Sequence, residues 1–437
     1  MFPYSTRRAL HELSISVLAI SAATTATAGG FDRGGVNVDL LFNEAPIAAE
    51  ATGTYVFPQR TLNNVVRDIN LAGAAPLSSD SVSVSGDFFI PRLGFKVGLG
   101  RHGDCLATYG QPFGADQSFG LNNAHSASSA EFSIDTDDLG LTCSANFSVG
   151  SFKFEGFPRT KGKLRLIAGV SYLDLSAFSS RQSFADFAGI PAAFLPAGLA
   201  GLNTDGVGDF NLSDESVGFR VGFSYEIPIP NASRGFRISA IYSSKYDLNL
   251  NGTVDTSAFN TPAALAFPVS QVDASSQIPQ SLEVKLQAPI RSLGVLADAS
   301  VKWQDWSQIQ SIGINGIISP ATGTPSTNIA FESLYRDGLT IEVGVATPLA
   351  EGLSGRIAGR FDRGTSTTFG SQSDTWTASL GLRYDYANIQ ASFGGSVGIL
   401  TSGSSSGIDT IDPANDFSFS FGNDFVGALR GSLKIVF

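Results

Sequence analysis

Past its first thirty residues, this 437-residue sequence contains no apolar run of the roughly 18 residues that a membrane-crossing helix needs. Charge is scarce too, at 15% of the chain, and it leans acidic, with 39 Asp and Glu against 28 Lys and Arg. A net charge of −11 without a basic stripe argues against a nucleic-acid partner. Cysteine is limited to Cys105 and Cys143, and neither has a second ligand at metal-binding spacing. No cofactor or metal is expected.

What is present is grease in small doses. Hydrophobic residues make up 43% of the chain, with 33 Phe and 48 Gly. A chain that is hydrophobic on average but never in a block is mixing two faces with a period of two. The last residues, "GALRGSLKIVF" (427–437), set Leu429, Gly431, Leu433, Ile435 and Phe437 against Arg430, Ser432, Lys434 and Val436. "SVGFRVGFSYEI" (216–227) sets Val217, Phe219, Val221, Phe223 and Tyr225 against Ser216, Gly218, Arg220, Gly222 and Ser224. "SLEVKLQAPI" (281–290), "LTIEVGVATPL" (339–349), "TWTASLGLRYDY" (375–386) and "NIQASFGGSVGIL" (388–400) repeat the pattern. Each is about as long as the 9–11 residues that cross a bilayer as a strand.

The N-terminus reads as an export signal. Arg7 and Arg8 precede the apolar core "LSISVLAISAA" (13–23), and Ala26-Thr27-Ala28 is a small-residue cleavage site. Residues 1–28 are therefore expected to be removed. In an exported chain the two cysteines are expected to pair.

Alternation places strands near 50–66, 81–99, 104–115, 130–149, 162–178, 214–228, 235–250, 278–290, 294–312, 331–348, 353–364, 373–387, 388–400 and 417–437, fourteen in all. The connections alternate between short ones ("RSLG", "AEG", "AN") and long Gly/Ser/Asn-rich stretches near 179–213, 251–277, 313–330, 364–373 and 401–414. Short turns on one side and long loops on the other are the signature of an outer-membrane barrel; a soluble β-sandwich follows no such rule. The expected fold is all-β, a 14-stranded antiparallel transmembrane β-barrel over 49–437. An even strand number puts both chain ends on the periplasmic side, and Phe437 ends where barrel-assembly machinery would read it. Residues 29–48 do not alternate and are expected either to fold into the lumen as a plug or to form a disordered leader.

In order and spacing, several segments resemble the FadL-type outer-membrane transporters of long-chain fatty acids and other hydrophobic compounds. They are "YGQPFGAD" (109–116), "YSSKYDLNLNG" (242–252), "IPQSLEVKL" (278–286), "ASVKWQDWSQIQSI" (299–312), "YRDGLTIEVGVATPLAEGL" (335–353) and "SDTWTASLGLRYDY" (373–386). One departure stands in the plug, where the family's Asn-Pro-Ala is replaced by Asn43-Glu44-Ala45-Pro46. The resemblance implies a Gram-negative outer membrane, an N-terminal hatch, a kinked third strand and lateral release of a hydrophobic ligand. It also implies a monomer in contact with lipid and lipopolysaccharide.

The residues suggest where such a route would run. Pro112 cannot donate a ladder hydrogen bond and Gly114 has no side chain to fill the wall, so Pro112, Phe113 and Gly114 are the candidate lateral gate; a plain curvature-adjusting bulge is the alternative. The loop "FADFAGIPAAFLPAGLAGL" (184–202) is strongly apolar for a segment in water, with Phe184, Phe187, Phe194 and Leu195 as candidate ligand contacts; a loop that only caps the barrel would read the same. A second apolar loop spans 256–272. Arg220, Lys285 and Arg356 lie on polar, inward faces and are candidates for a ligand carboxylate. If strands three and four form a hairpin with its apex near residue 124, Cys105 and Cys143 lie side by side.

A general diffusion porin is the competing function, and it should have a polar lumen with a constriction loop. A lipid hydrolase would need a nucleophile–His pair. His102 falls in a periplasmic turn and His125 in an extracellular loop, so an enzyme is not expected.

Overall fold

The structure is a computed structural model. It describes residues 31–437 apart from 68–75, 85, 127–128, 154–158, 183–184, 187–202, 205, 230–234, 259–268, 319–328, 369 and 408–416. The expected signal sequence lies outside the described residues, as do Phe184, Phe187, Phe194 and Leu195. Of the loop at 184–202 only Ala185–Asp186 is described, paired with Asn203–Thr204.

One sheet of nineteen hydrogen-bonded segments closes on itself. Five of its strands are interrupted once, so the segments make fourteen antiparallel strands. These are β1 (Ile47–Pro58), β2 (Phe88–Gly98), β3 (Gly103–Gly110 and Gly114–Ser118), β4 (Glu131–Phe152) and β5 (Thr160–Gln182). They continue with β6 (Val207–Ile227), β7 (Phe236–Ser243 and Tyr246–Asp255), β8 (Val269–Ile278 and Ser281–Ile290) and β9 (Val295–Gln304 and Ser311–Asn315). The set ends with β10 (Ile329–Glu332 and Gly338–Ala350), β11 (Leu353–Arg363), β12 (Thr375–Tyr386), β13 (Ile389–Leu400) and β14 (Asp424–Val436). The ring closes where β14 pairs with β1, from Ala48↔Val436 to Pro58↔Val426, and the Phe437 amide donates to the Ile47 carbonyl at 2.9 Å. The terminal alternation is thereby accounted for: Leu429, Leu433 and Phe437 face outward, while Arg430 and Lys434 are buried inside.

Polarity is inverted relative to a soluble protein. Leu139, Leu141, Val217, Phe219, Val221 and Phe223 are exposed on the outer wall, while Asp138, Thr142, Arg220 and Ser224 between them are buried. Hydrocarbon outside replaces water, so apolar side chains belong on that face.

Several stretches expected as loops or as single strands differ. Residues 179–182, 207–213, 251–255 and 269–277 are strand, and so the second apolar loop gives way to β8 at Val269. These extensions stand beyond the apolar band, where water is the outer solvent. Their outward residues are therefore polar (Asn211, Asn251, Asp273), which reads in sequence as loop. The expected strands at 50–66, 81–99 and 417–437 each divide. Arg60–Arg67, Leu77–Val84, Gly403–Gly407 and Phe417–Phe421 leave the barrel to form a separate four-stranded sheet. That sheet and the loop after β3 bury Leu62, Val65, Val82, Phe119, Ala124 and Phe419 in a small core of their own. His125 is stacked on Phe119 there, and its Nδ1 lies 2.9 Å from the Ser129 carbonyl.

Cys105 and Cys143 face each other in register on β3 and β4 and are joined by a disulfide, as the hairpin arithmetic requires.

Candidate functional site

The third strand is broken where its sequence carries Pro and Gly. β3 pairs with β4 as far as Gly110↔Asp138 and resumes at Gly114↔Asp135, so three residues of β3 stand opposite two of β4. On its other side β3 pairs with β2 only from Gly98↔Asp104 to Arg92↔Gly110. Phe88–Pro91 of β2 remain paired with β1, but among the described residues no ladder pair joins them to β3. The wall therefore has a gap between β2 and β3, and Arg92↔Gly110 forms its lower edge. Above it the chains meet again. A Cβ at Gly86 would lie closer to the Asp116 carbonyl than real side chains come, which is why only glycine fits.

Such a gap persists in a barrel only if the freed backbone groups find partners. They turn inward to do so. Asp32 forms an antiparallel bridge with Phe113; the Arg33 amide donates to the Pro112 carbonyl and the Gly114 amide to the Phe31 carbonyl, each at 2.8 Å. The Phe113 amide donates to Thr136 Oγ1 at 3.1 Å, and the same hydroxyl donates back to the Phe113 carbonyl at 2.6 Å. Residues 31–33 thus serve as a short replacement strand for the missing neighbour.

Side chains hold this arrangement. The Arg33 guanidinium pairs with Asp116, lies 3.8 Å from Asp135 and sits 4.6 Å from the Phe88 ring centroid. Across the lumen, Lys302 of β9 reaches Asp32 at 2.6 Å. Farther along, Lys285 of β8 reaches Asp39 at 3.2 Å. Lys96 of β2 donates to the carbonyls of Asn43 and Ala45 at 2.9 and 2.7 Å. Leu40, Leu41 and Phe42 pack with Leu106 of β3 and Ile167 of β5. Residues 31–45 are therefore tied to side chains from opposite walls.

Above the gap the interior is apolar. Phe113 packs in a buried cluster with Leu173 and Leu175 of β5, Leu212 of β6, Leu248 and Leu250 of β7, Val272 and Ala274 of β8 and Ile314 of β9. Below, the inward faces are charged, and several of these charges are paired. Arg165 pairs with Asp104 and with Glu226, the latter at 2.7 Å, and Lys96 reaches Asp104 at 2.6 Å. At the boundary, Tyr246 donates to Asp138 at 3.0 Å and lies 2.6 Å from Ser171 Oγ.

The structure places the sequence-derived candidates unevenly. Pro112, Phe113 and Gly114 sit at the gap. Arg220, Lys285 and Arg356 all point inward, and each has an acidic neighbour. Arg220 lies 3.6 Å from Asp138, Lys285 has Asp39, and Arg356 has Asp298 at 2.5 Å and Glu342 at 2.7 Å. They belong to separate stretches of wall and form no single cluster. Sequence reasoning missed Asp32, Arg33, Arg92 and Thr136, whose roles depend on which strands meet. It also missed the apolar interior, although the switch between polar and apolar residues on the outer face at Asp137, Asp174 and Glu215 marks where that interior begins.

The profile of the family described as outer membrane protein transport protein (OMPP1/FadL/TodX) matches residues 47–389. A FadL homologue of Pseudomonas aeruginosa superposes with a TM-score of 0.70 at 15% identity, over 95% of this chain and 99% of that one. The toluene transporter TbuX of Ralstonia pickettii gives 0.54 at 14% identity, over 94% and 95%. The toluene transporter TodX of Pseudomonas putida gives 0.51 at 12% identity, over 94% and 96%. No curated protein sequence matches the chain.

Proposed function

The chain belongs to the FadL/TodX family of outer-membrane transport proteins, and from that premise we propose that it takes up long-chain fatty acids or similar hydrophobic compounds by passive flow, releasing them sideways into the membrane. Capture is assigned to the apolar loop at 184–202. The ligand then enters the apolar interior around Phe113 and leaves through the gap between β2 and β3. Residues 29–48 act as the hatch, filling the lumen below that route.

The single observation that carries this reading is the adjacency of the two features. The buried apolar cluster includes Phe113, a residue of the break itself. A long-chain ligand gains about 0.8 kcal/mol for each CH₂ removed from water, so a conduit that is dry from cluster to lipid avoids rehydrating the tail. The charged lower lumen, with several of its charges already paired, offers a poorer path. The proposal includes a monomeric barrel in contact with lipid and lipopolysaccharide, inserted by barrel-assembly machinery.

The competing porin function is separated by one measurement. In planar bilayers the transporter should give no steady ion conductance while still accelerating uptake of a labelled long-chain compound in cells. Steady, ohmic single-channel steps without such uptake would establish a porin.

A further inference from the structure

The gap carries a cation that the lateral route does not require. Arg92 of β2 stands at its lower edge, opposite Gly110, and lines a small cavity with Val36, Asn37, Thr108 and Pro112. Its Nη2 donates to the Arg33 carbonyl at 2.5 Å. Its Nε is buried without a partner, and among the described residues no carboxylate lies within 4.0 Å of its guanidinium. That sets it apart from Arg33, Arg165, Arg220 and Arg356, each of which has one. Arg430 and Arg360 add positive charge to its surroundings, partly offset by Asp32 and Glu283.

The outer side of the same place is apolar and hollow. A groove of about 440 Å³ runs over the small outward residues Ala49 and Ala51 of β1 and Ala107 of β3, walled by Leu93, Phe95 and Leu433. Register places Ala51 opposite both Leu93 and Leu433, so one alanine leaves the hollow between two leucines. Leu93, Thr108 and Tyr109 line both this groove and the cavity at Arg92, so the two hollows lie back to back across the paired β2–β3 ladder, directly below the gap. The groove lies on the periplasmic side of the gap.

We infer that the gap is itself a binding site for an anionic amphiphile, whose carboxylate rests on Arg92 inside the wall while its hydrocarbon tail lies in the groove outside. This rests on the lateral route proposed above and adds to it the orientation of the departing ligand: the tail leaves first and the head last. A carboxylate accepts charge-assisted hydrogen bonds from a guanidinium whose unsatisfied donor is already buried, so the site favours acids over neutral chains of equal length. Arg92 is a specificity residue on this account, since tail burial alone does not distinguish an acid from an alcohol.

The test compares uptake of palmitate and hexadecanol by cells carrying the full-length barrel, with compact-band mobility confirming folding. In Arg92→Gln the palmitate-to-hexadecanol ratio should fall roughly tenfold, and Arg92→Lys should restore most of it. Filling the groove with Ala51→Trp should slow palmitate more than octanoate. A ratio unchanged in Arg92→Gln, or an equal loss of both lipids, would overturn the head-group site; an equal effect of Ala51→Trp on both chain lengths would overturn the groove. Failure of the route itself reads differently. If a barrel with β2 cross-linked to β3 still carries both lipids, the route falls. If the cross-link stops both while Arg92→Gln leaves the ratio alone, the route stands and the site does not.

Discussion

The guanidinium of Arg33 occupies the space that a side chain at Gly114 would fill: a Cβ there would meet Arg33 Cζ, Nε and Nη1, all closer than real contacts allow. One residue of the N-terminal segment thus completes the barrel wall where the third strand bends inward, and the strand has given up its own side chain to admit it.

That relationship predicts strong coupling. Gly114→Val should destabilise the barrel by about 1–3 kcal/mol through overpacking against Arg33. Arg33→Ala removes the clash along with the ion pairs, so the double variant should be more stable than the two single losses combined by at least about 0.5 kcal/mol. Urea-dependent unfolding in lipid vesicles measures this. Additive losses would mean that the two residues do not share the space.

The extracellular sheet should loosen in acid. Burial against Phe119 lowers the His125 pKa to about 4, against an ordinary value of 6.5. Because the folded value is depressed, the unfolded cap takes up a proton first as pH falls. Stability is full above pH 6.5 and is lost progressively towards pH 4, by up to about 3 kcal/mol. Hydrogen exchange at residues 119–126, corrected for intrinsic rates, should rise between pH 7 and 4.5, and the rise should be absent in His125→Gln. Exchange that is flat with pH in the unaltered protein would contradict this.

Replacing Phe187 and Phe194 with Ser should reduce uptake of a labelled long-chain acid at low concentration several-fold, with surface level and heat-modifiable mobility unchanged. If uptake kinetics stay the same, the loop at 184–202 is a cover and plays no part in capture.

The sequence made the barrel legible because a membrane imposes one rule on every strand: apolar outward, polar inward, along ten or so residues. The strand set, the Cys105–Cys143 pairing and the break at Pro112–Gly114 all follow from local pattern and from counting along one hairpin. Where the outer solvent changes to water the rule reverses, and strands such as Val269–Ile278 read as polar loops. The site suffered more. Arg33 reaches Asp116 across 83 positions of sequence and Asp32 reaches Lys302 across 270, distances over which no periodicity speaks. Lys285 and Arg356 could be assigned inward from alternation, but their acidic partners Asp39 and Asp298 lie on other segments of the chain.

The most direct test of the central claim is to close the gap. Pro91 and Gln111 are the next positions beyond Arg92↔Gly110, so cysteines placed there should bridge β2 to β3 on mild oxidation. Uptake of labelled palmitate should fall to background in the oxidised barrel and return on reduction with a phosphine that spares the Cys105–Cys143 bridge. Uptake that persists through a cross-link verified by mass spectrometry would mean that the ligand leaves by the periplasmic mouth, and lateral release would be wrong.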